Sequence, residues 1–323
     1  MRKVAFVTGA TGFVGSHLAE ALLQRGYSEV RCLVRTEPKW LTGLDVIQIH
    51  GTLNDTPLIT QALEDVQYVY HLGAMTRART LHELLAANAT STMYLTTAVR
   101  NVSTEAIKIC IASSLAVVGN ANSIMADEST PCEPVSRYGR SKLVMEQILA
   151  GINLPMVIIR PPVVYGPRDQ DLLTFFSAVN RGICVVPRGD PGLSLVHVND
   201  LVRGIIDSTE SPRTTGKTYY VGSNEVVTWE ALRNASEAAL GKQSTMIRLP
   251  RSLVMPLGVI SEFAGKLTGT YPPLNREKAR EILHATKQCS SKKAERDWGY
   301  SSRVSLEQGV HETIEWYRAQ GWL

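Results

Sequence analysis

Short apolar runs alternate with longer amphipathic stretches in the first half of the chain. The runs at residues 4–7, 30–34, 46–49, 68–72, 107–112 and 156–159 predict buried strands. Apolar positions at helical spacing predict a first helix that ends near Gly26 and further helices at 58–63, 81–99 and 138–149. Strands that alternate with helices in this way are typical of a parallel sheet covered on both faces.

A glycine-rich turn follows the first predicted strand and opens the first predicted helix. Residues 8–15 read TGATGFVG, with glycines at positions 9, 12 and 15. Such glycines permit a tight turn, the approach of a pyrophosphate to the backbone, and close packing of helix and strand. The N–H groups and the dipole of the helix N-terminus then attract the phosphates. The pattern indicates a dinucleotide site; the alternative is a packing turn without a ligand.

The pattern becomes less regular after residue 166. One helix is predicted at 171–179 and one strand at 219–221, and the remainder is predicted to be mainly helical and irregular, with breaks at Pro250, Pro256, Pro272 and Pro273. We therefore predict an α/β fold, a doubly wound parallel Rossmann sheet with a smaller, mainly helical C-terminal substrate lobe. Residues 1–166 and about 194–222 would form the dinucleotide-binding Rossmann domain, and residues 167–193 and 223–323 the substrate-binding lobe.

The group that reads the adenosine ribose is expected about twenty residues beyond the glycine turn. There the second predicted strand ends at Val34 and Arg35, with Glu37 and Lys39 nearby. A basic residue suits the 2′-phosphate of NADP, and an acidic residue suits the 2′-hydroxyl of NAD. Arg35 favours NADP. The alternative is that Arg35 lies in solvent while Glu37 reads the ribose of NAD.

Tyr138 and Lys142 are spaced i and i+4 at the start of a predicted helix, so both side chains lie on one face. An adjacent ammonium group is expected to lower the pKa of the phenol and make it a usable acid or base near neutral pH. Alone, this spacing is common by chance. However, Ser113 and Ser114 end the predicted strand 107–112, at the edge where open parallel sheets bind ligands. We assign Ser113 to local backbone contacts and Ser114 to a substrate oxygen.

Several motifs, taken in order, resemble the extended short-chain dehydrogenase/reductase family, which includes sugar-nucleotide epimerases and dehydratases. They are TGATGFVG at 8–15, HLGA at 71–74, Asn88, SSLAVVG at 113–119, YGRSK at 138–142, RPPVVYGP at 160–167 and HVND at 197–200. The match runs over residues 1–222, and the remaining residues match only loosely.

The resemblance implies a catalytic set of Ser114, Tyr138 and Lys142. Tyr138 would be the acid/base, Lys142 would lower its pKa and hold the nicotinamide ribose, and Ser114 would orient the substrate. The candidate cofactor-binding residues are then Gly9, Thr11, Gly12, Phe13, Val14, Arg35, Leu53, Gly73, Ala74, Asn88, Tyr138, Lys142, Pro161 and Val163. The resemblance also implies a homodimer in which helices 81–99 and 138–149 of both copies form a four-helix interface. No metal site is expected.

The chain departs from the family pattern at three places. The third strand is followed by Gly51, Thr52 and Leu53, where an Asp usually contacts adenine, so Thr52 would serve or that contact is lost. Val163 and Leu193 stand where the epimerases have an Asn and an Arg that hold the nucleotide diphosphate. A diphosphate without that amide and that guanidinium would be poorly paired.

Three functions remain open. The first is an oxidoreductase that interconverts a ketone and a secondary alcohol on a fairly hydrophobic small molecule with NADP or NAD, resembling the dihydroflavonol reductase and 3β-hydroxysteroid dehydrogenase branch. Arg35, Val163 and Leu193 favour it. The second is a sugar-nucleotide epimerase or dehydratase with tightly held NAD. The third is a non-catalytic dinucleotide sensor, against which the Ser–Tyr–Lys set argues.

Composition restricts the partners and the location. The net charge of +4 is mild and no dense basic run occurs, which argues against nucleic acid. The five scattered cysteines are typical of reduced thiols. The chain begins in a strand without a signal peptide, and the apolar stretch 253–267 is too short and too interrupted to span a bilayer. We therefore expect a cytoplasmic protein that acts on a small molecule.

Overall fold

The computed structural model describes residues 2–102, 107–120, 125–223, 225–268 and 274–323, with residues 266–268 described by their backbone alone. The strands are β1 (Val4–Thr8), β2 (Glu29–Val34), β3 (Ile47–His50), β4 (Tyr68–His71), β5 (Lys108–Ala112), β6 (Met125–Ala126), β7 (Met156–Arg160), β8 (Val163–Tyr165), β9 (Ile183–Pro187), β10 (Leu193–His197), β11 (Lys217–Tyr220), β12 (Val226–Val227), β13 (Thr245–Leu249) and β14 (Gln288–Cys289). The α-helices are α1 (Phe13–Gln24), α2 (Thr56–Ala62), α3 (Leu81–Leu85), α4 (Ser91–Val102), α5 (Arg137–Ala150), α6 (Leu173–Asn180), α7 (Val198–Glu210), α8 (Trp229–Leu240), α9 (Arg251–Thr268), α10 (Arg276–His284), α11 (Lys292–Trp298) and α12 (Leu306–Ala319).

A seven-stranded parallel sheet forms the centre of the described structure. Its strand order is β11-β7-β5-β4-β1-β2-β3. The chain runs outward from β1 through β2 and β3 and then returns to β4 on the other side of β1, so the strand order reverses at β1. Open α/β sheets bind ligands at this point, beyond the carboxyl ends of the strands. Thr8 at the end of β1 pairs with His71 at the end of β4, which brings the loops after both strands to the same edge.

Side chains of the central strands alternate between two apolar cores, one on each face of the sheet. In β1, Ala5 and Val7 belong to one core and Val4 and Phe6 to the other, and all four are fully buried. Helices α1 and α7 contribute to the first core, and α2, α4 and α5 to the second. Because the central strands are buried on both faces, they are continuous apolar runs in the sequence, and the predicted Rossmann sheet is confirmed.

A third apolar core lies beyond the main sheet and contains Phe176, Leu232 and Ile314, all fully buried. Around it are the three-stranded sheet β12-β10-β8, the parallel pair β13-β9, and helices α6, α8 and α12. The chain returns from β10 through α7 to the main sheet, and β14 pairs with β6. The boundaries of the Rossmann domain and the substrate-binding lobe stay a prediction.

The C-terminal part contains strands where the sequence indicated mainly helices and irregular segments. Strand β9 alternates exposed Ile183 and Val185 with buried Cys184 and Val186. All four residues are apolar, so the sequence lacks the polar–apolar alternation that identifies a half-buried strand.

Two helices also differ from the sequence prediction. Helix α9 continues through Pro256, so the break predicted there is wrong, whereas Pro272 and Pro273 lie outside the described residues. The single helix predicted at 81–99 is divided into α3, a π-helical segment (Ala86–Thr90) and α4. No helix in the described ranges has the length and apolar character needed to cross a bilayer.

Candidate active site

The turn between β1 and α1 depends on three glycines with different surroundings. Gly9 has a φ of +72°, and a Cβ there would lie 2.6 Å from the backbone N of Gly73. A Cβ on Gly15 would lie 2.1 Å from the carbonyl O of Gly9. These two glycines therefore permit close packing within the protein. Gly12 is exposed, and a Cβ there would meet the Gly9 carbonyl O at 3.2 Å, so its outer side is open to a ligand.

The N-terminus of α1 fits a pyrophosphate. No side chain caps the helix at Gly12, and its first turn has no acidic residue. Backbone N–H groups at an uncapped N-terminus and the helix dipole both favour an anion. Thr11, Phe13 and Val14 are partly buried beside the exposed Gly12. Cofactor contacts at Gly9 and at residues 11–14 stay predictions that this geometry allows.

A substitution at Gly12 tests whether the open side of the turn binds the dinucleotide. We expect Gly12→Val to lower dinucleotide affinity at least tenfold, about 1.4 kcal/mol, because the side chain would occupy the path of the pyrophosphate. Isothermal titration calorimetry on the folded variant measures this change, and an affinity equal to that of the wild type would exclude the assignment.

Substitutions at Gly9 and Gly26 distinguish an effect on dinucleotide binding from an effect on folding. Gly9→Ala is expected to destabilise the fold, because a Cβ at Gly9 meets the backbone of Gly73. Gly26 is the matched control, since it also has a positive φ, of +76°, but has no atom within 4 Å of the position of a Cβ. Gly26→Ala should therefore cost only the backbone strain, about 1–2 kcal/mol.

The residues predicted to read the ribose lie just after β2. Arg35, Glu37 and Lys39 are all exposed, and Arg35 has no hydrogen bond or ion pair within the part of the chain that the structure describes. After β3, Thr52 is exposed, whereas Leu53 is partly buried and packs against the apolar core. Both alternatives for the ribose are sterically possible, so the roles of Arg35 and Leu53 stay predictions.

A buried hydrogen-bond chain holds the end of β4. The Thr92 hydroxyl donates to the carbonyl O of Asn88 (2.6 Å) and must therefore accept from His71 Nε2, 2.9 Å away. His71 Nδ1 is then free to accept from Thr8 Oγ1 at 2.7 Å, and Gly73 N donates to the same oxygen at 3.2 Å. Burial lowers the pKa of His71 to about 3, which keeps the imidazole neutral. These hydrogen bonds hold Gly73, and with it the exposed Ala74, at the carboxyl edge of the sheet.

Asn88 lies in the π-helical segment, and its side chain is fully buried. Its Nδ2 donates to the Met75 carbonyl O and to Ser141 Oγ, both at 2.9 Å, and its Oδ1 accepts from Met75 N at 2.8 Å. The amide thus joins the loop after β4 to helix α5, beside Lys142. These contacts support a positioning role for Asn88, and its predicted contact with the cofactor stays untested.

Ser114, Tyr138 and Lys142 converge where β5 ends and α5 begins. The Ser114 hydroxyl lies near the Tyr138 phenol and lowers its pKa, and Ser114 Oγ accepts from Ala116 N at 3.1 Å. Lys142 is buried, and its Nζ donates to the carbonyl O of Ala112, the last residue of β5, at 2.6 Å. The three side chains therefore offer two hydroxyl groups and an ammonium group at one edge of the sheet.

The pKa of Tyr138 differs from the sequence prediction. Burial raises the pKa of Tyr138 to about 12, the nearby Ser114 hydroxyl opposes this, and Glu281 and Asp171 raise it further. The Lys142 ammonium donates to the carbonyl O of Ala112 at the end of β5 rather than to the phenol. Burial lowers the pKa of Lys142 to about 8, against the opposing effect of Glu146. In this structure the phenol is protonated at neutral pH and can act as a proton donor.

A buried ion pair between Arg160 and Glu146 lies one helical turn after Lys142 on α5. Arg160 at the end of β7 donates to Glu146 of α5 through Nε (3.0 Å) and Nη2 (2.5 Å), and its Nη1 donates to Tyr220 Oη at 3.1 Å. Ser113 Oγ donates to the same carboxylate, so Ser113 has a structural contact, though with a side chain rather than with the local backbone. Glu146 was not predicted as part of the site, although its spacing of i+4 from Lys142 places both side chains on one face of α5.

The segment after β7 passes close to Ser114. The Pro161 carbonyl O accepts from Leu115 N at 2.9 Å. Val163 is 39% exposed on β8, whereas Leu193 is buried in the third core. Arg168 donates to Ser16 Oγ (2.9 Å) and Glu20 Oε1 (2.6 Å) of α1, so its guanidinium is already paired within the protein.

The rim of the site is formed by charged contacts between distant segments. Arg77, in the loop after β4, pairs with Asp171. Arg137, the residue before Tyr138, contacts Glu277 of α10 at 2.9 Å. Helix α10 therefore lies beside the phenol, which explains the effect of Glu281 on its pKa. Across the described ranges, no group of three or more His, Cys, Asp or Glu residues is arranged to hold a metal ion.

The chain matches a known protein family and is similar to characterised proteins. The model of the NAD dependent epimerase/dehydratase family matches residues 5–222. The ceramide reductase of Caulobacter vibrioides is 28% identical over 326 residues, covering 100% of this chain and 96% of that protein.

Two solved structures share the fold. The crystal structure of gox2253 has a TM-score of 0.82 with 28% identity and covers 100% of both chains. The dTDP-glucose 4,6-dehydratase DesIV from Streptomyces venezuelae, solved with NAD bound, has a TM-score of 0.79 with 22% identity, covering 99% of this chain and 98% of the other. With the Rossmann sheet and the glycine turn, the match over residues 5–222 identifies this chain as an enzyme of the NAD dependent epimerase/dehydratase family, the extended short-chain dehydrogenases/reductases.

Proposed function

We propose that this enzyme interconverts a ketone and a secondary alcohol on a fairly hydrophobic small molecule by a Ser–Tyr–Lys mechanism. The observation that carries the proposal is that the Ser114 hydroxyl lies near the Tyr138 phenol, whose pKa it lowers, at the carboxyl edge of the sheet. Two neighbouring hydroxyl groups can both bind one substrate oxygen. A carbonyl at that point would accept from Ser114 and Tyr138, and the protonated phenol would supply the proton of the alcohol.

A dinucleotide would be held by the open side of Gly12, the N-terminus of α1, and Lys142. When bound, the nicotinamide ring supplies or accepts the hydride. Lys142 carries its positive charge below a pH of about 8, since that is its pKa in this structure. Ser114 keeps the substrate oxygen beside Tyr138, and the Asn88 amide fixes the loop and the helix that surround them.

The hydrophobic nature of the substrate is supported by two apolar positions. Val163 offers an exposed aliphatic group, and Leu193 is directed into the third core. Arg168, five positions after Val163, is bound to α1. A nucleotide diphosphate would therefore find no free cation among Val163, Leu193 and Arg168. The ceramide reductase of Caulobacter vibrioides, a relative of this chain, is by its name a reductase of a lipid.

An oxidoreductase and a sugar-nucleotide epimerase or dehydratase differ in how they use the dinucleotide. We expect the purified enzyme to oxidise NADPH in the presence of hydrophobic ketones and to retain no tightly bound NAD. Absorbance at the nicotinamide band follows the first property, and chromatography of the denatured protein's supernatant follows the second. Tightly held NAD, with turnover of sugar nucleotides and no net NADPH oxidation, would replace this proposal with the epimerase/dehydratase function.

NADP is the proposed cofactor, because Arg35 is exposed after β2 without an internal partner in the described ranges. A charge-assisted contact with a 2′-phosphate is worth about 1.5–3 kcal/mol. We therefore expect Arg35→Ala to weaken NADP binding about 10- to 150-fold while NAD binding changes little. Glu37→Gln is the matched control and should leave NADP affinity unchanged. Equal losses for both dinucleotides after Arg35→Ala, or a selective loss of NAD affinity after Glu37→Gln, would instead support NAD.

We also propose that the enzyme is a homodimer and that it is located in the cytoplasm. Helix α4 exposes Met93 (46%) and Tyr94 (38%), the large residues expected at a four-helix interface with α5. The five cysteines are free thiols, which is usual for proteins of a reducing compartment.

A further inference from the structure

Helix α9 exposes a continuous apolar stripe that no described element covers. Leu253 (47%), Leu257 (40%), Ile260 (64%) and Phe263 (65%) have the spacing i, i+4, i+7 and i+10, which places them within an arc of about 120° on the outer side. The stripe is about 15 Å long at the rise of an α-helix. Ile260 and Phe263 have the highest exposed fractions among the large apolar residues reported as exposed. We call these four residues the α9 stripe.

The opposite side of α9 is the side that packs against the protein. Val254 is buried there, and a Cβ on Gly258 would lie 2.9 Å from the carbonyl O of Asn275 and 3.0 Å from Ala279 Cβ, just before and within α10. The helix is therefore apolar on both its inner and its outer side. A surface helix of a protein surrounded by water normally has a polar outer side, so the α9 stripe indicates an apolar environment outside the protein.

A second exposed apolar face adjoins α9 in the chain. Strands β9 and β13 pair in parallel, and their outward residues are Ile183 (46%), Val185 (53%) and Ile247 (47%). Strand β13 ends at Leu249, and α9 begins two residues later at Arg251. Only Pro250 separates this strand pair from the helix in the chain.

The same segment carries the net positive charge of the chain. Residues 242–287 contain eight Lys and Arg against three Asp and Glu, a net charge of +5, whereas the whole chain has +4. Arg276, Lys278 and Arg280 of α10 are exposed beside this helix. Within the described residues, Arg280 has no acidic partner. Anionic lipid headgroups would complement a basic segment of this kind.

We propose that the α9 stripe lies on the surface of an anionic lipid bilayer, with its apolar side chains at the acyl boundary and the exposed basic residues of α10 among the headgroups. A surface helix with an apolar ridge and basic neighbours is typical of interfacial attachment, and α9 lacks the length and apolar character needed to cross a bilayer. Attachment of this kind does not depend on the reaction that the enzyme catalyses.

Helix α9 is connected to the active site through α10. Helix α10, against which α9 packs, contacts the residue before Tyr138 through the Arg137–Glu277 pair. A bilayer against α9 would therefore lie close to the rim of the site. If the proposed function is correct, a hydrophobic substrate would reach Tyr138 from the lipid phase without crossing water.

Sedimentation with vesicles tests the proposal on the full chain without substrate or cofactor. We expect binding to phosphatidylcholine vesicles that contain about 30% phosphatidylglycerol, weak binding to phosphatidylcholine alone, and release in about 0.5 M NaCl. The double variant Ile260→Ser/Phe263→Ser should bind at least about tenfold more weakly. Ile47→Ser is the matched control, because Ile47 is also 46% exposed but lies on β3, and it should bind like the wild type.

Charge variants and the oligomeric state complete the test. Arg280→Gln should weaken binding about fivefold, and Arg213→Gln, an exposed arginine outside the segment, should not. Sedimentation velocity without vesicles measures the oligomeric state of each variant, and circular dichroism verifies folding. Wild-type protein that does not bind anionic vesicles would overturn the proposal. So would a dimer that dissociates in the Ile260→Ser/Phe263→Ser variant, because the α9 stripe would then be a contact between copies. Salt-dependent binding of the wild type tests the charge argument even if a variant fails to fold.

Discussion

Tyr138→Phe is expected to reduce turnover by about 10²- to 10⁴-fold, the usual loss when a positioned general acid or base is removed. The substitution keeps the aromatic ring and removes only the hydroxyl that lies near Ser114. Packing should therefore survive, and the dinucleotide affinity should change little. Steady-state kinetics on whichever ketone or alcohol responds, together with calorimetry of the dinucleotide, measures both quantities.

Two companion variants separate the roles of the three side chains. Ser114→Ala should lower turnover and leave dinucleotide binding intact, whereas Lys142→Ala should damage both, because it removes the ammonium group at the end of β5. The phenol has a pKa of about 12 and stays protonated up to that pH, so we expect the reductive direction to need no deprotonation of Tyr138. Full activity of Tyr138→Phe would show that the proton comes from another group and that the mechanism is wrong.

Glu146→Gln is expected to destabilise the protein by about 3–5 kcal/mol, because removal of one member of a buried ion pair leaves the other charge without compensation. The side chains of Glu146 and Arg160 are each only 9% exposed. Burial alone would lower the pKa of Arg160, and Glu146 more than reverses that effect. Urea unfolding measures the change in free energy of unfolding. Glu315→Gln is the control, since the Glu315 side chain is 52% exposed in its pair with Arg318, and the free energy should hardly change.

The pH dependence of the rate in Glu146→Gln distinguishes an effect on Lys142 from a purely structural role of Glu146. The carboxylate of Glu146 raises the pKa of Lys142 against the larger, lowering effect of burial. Without that negative charge the pKa of Lys142 falls below about 8, so the ammonium loses its proton at a lower pH. The alkaline limb of the pH–rate profile should therefore move to lower pH in Glu146→Gln and stay in place in Glu315→Gln. A profile that does not move would mean that Glu146 contributes stability alone.

The main sheet was predictable because burial on two faces leaves a simple trace in the sequence. Val4 and Phe6 enter one core and Ala5 and Val7 the other, so the strand has no polar position to interrupt the apolar run. The strand pair β9-β13 was not predictable in that way. It joins segments about sixty residues apart, and its outward residues, such as Val185, are as apolar as its inward ones.

The candidate site was predictable where its residues follow a strand or share one face of a helix. Ser114 after β5 and the i, i+4 pair Tyr138 and Lys142 meet for those two reasons. The part that could not be predicted depends on tertiary partners. The Asn88 amide is defined by Met75 and Ser141, and the ammonium of Lys142 is directed to a backbone carbonyl rather than to the phenol. Burial then reversed the expected direction of the Tyr138 pKa.

The third apolar core has a consequence for the order in which the protein can fold during translation. Phe176 comes from α6, Leu232 from α8 and Ile314 from α12, and Tyr317 Oη donates to the carbonyl O of Asp169, 148 positions earlier. The main sheet is complete once β11 has left the ribosome, whereas this core stays open until α12 has been synthesised. The nascent chain therefore carries all seven strands of the main sheet attached to an exposed apolar surface for about a hundred residues of synthesis, which takes about 5 to 20 s at about 5 to 20 residues per second. During that interval the growing chain would be a substrate for ribosome-associated chaperones.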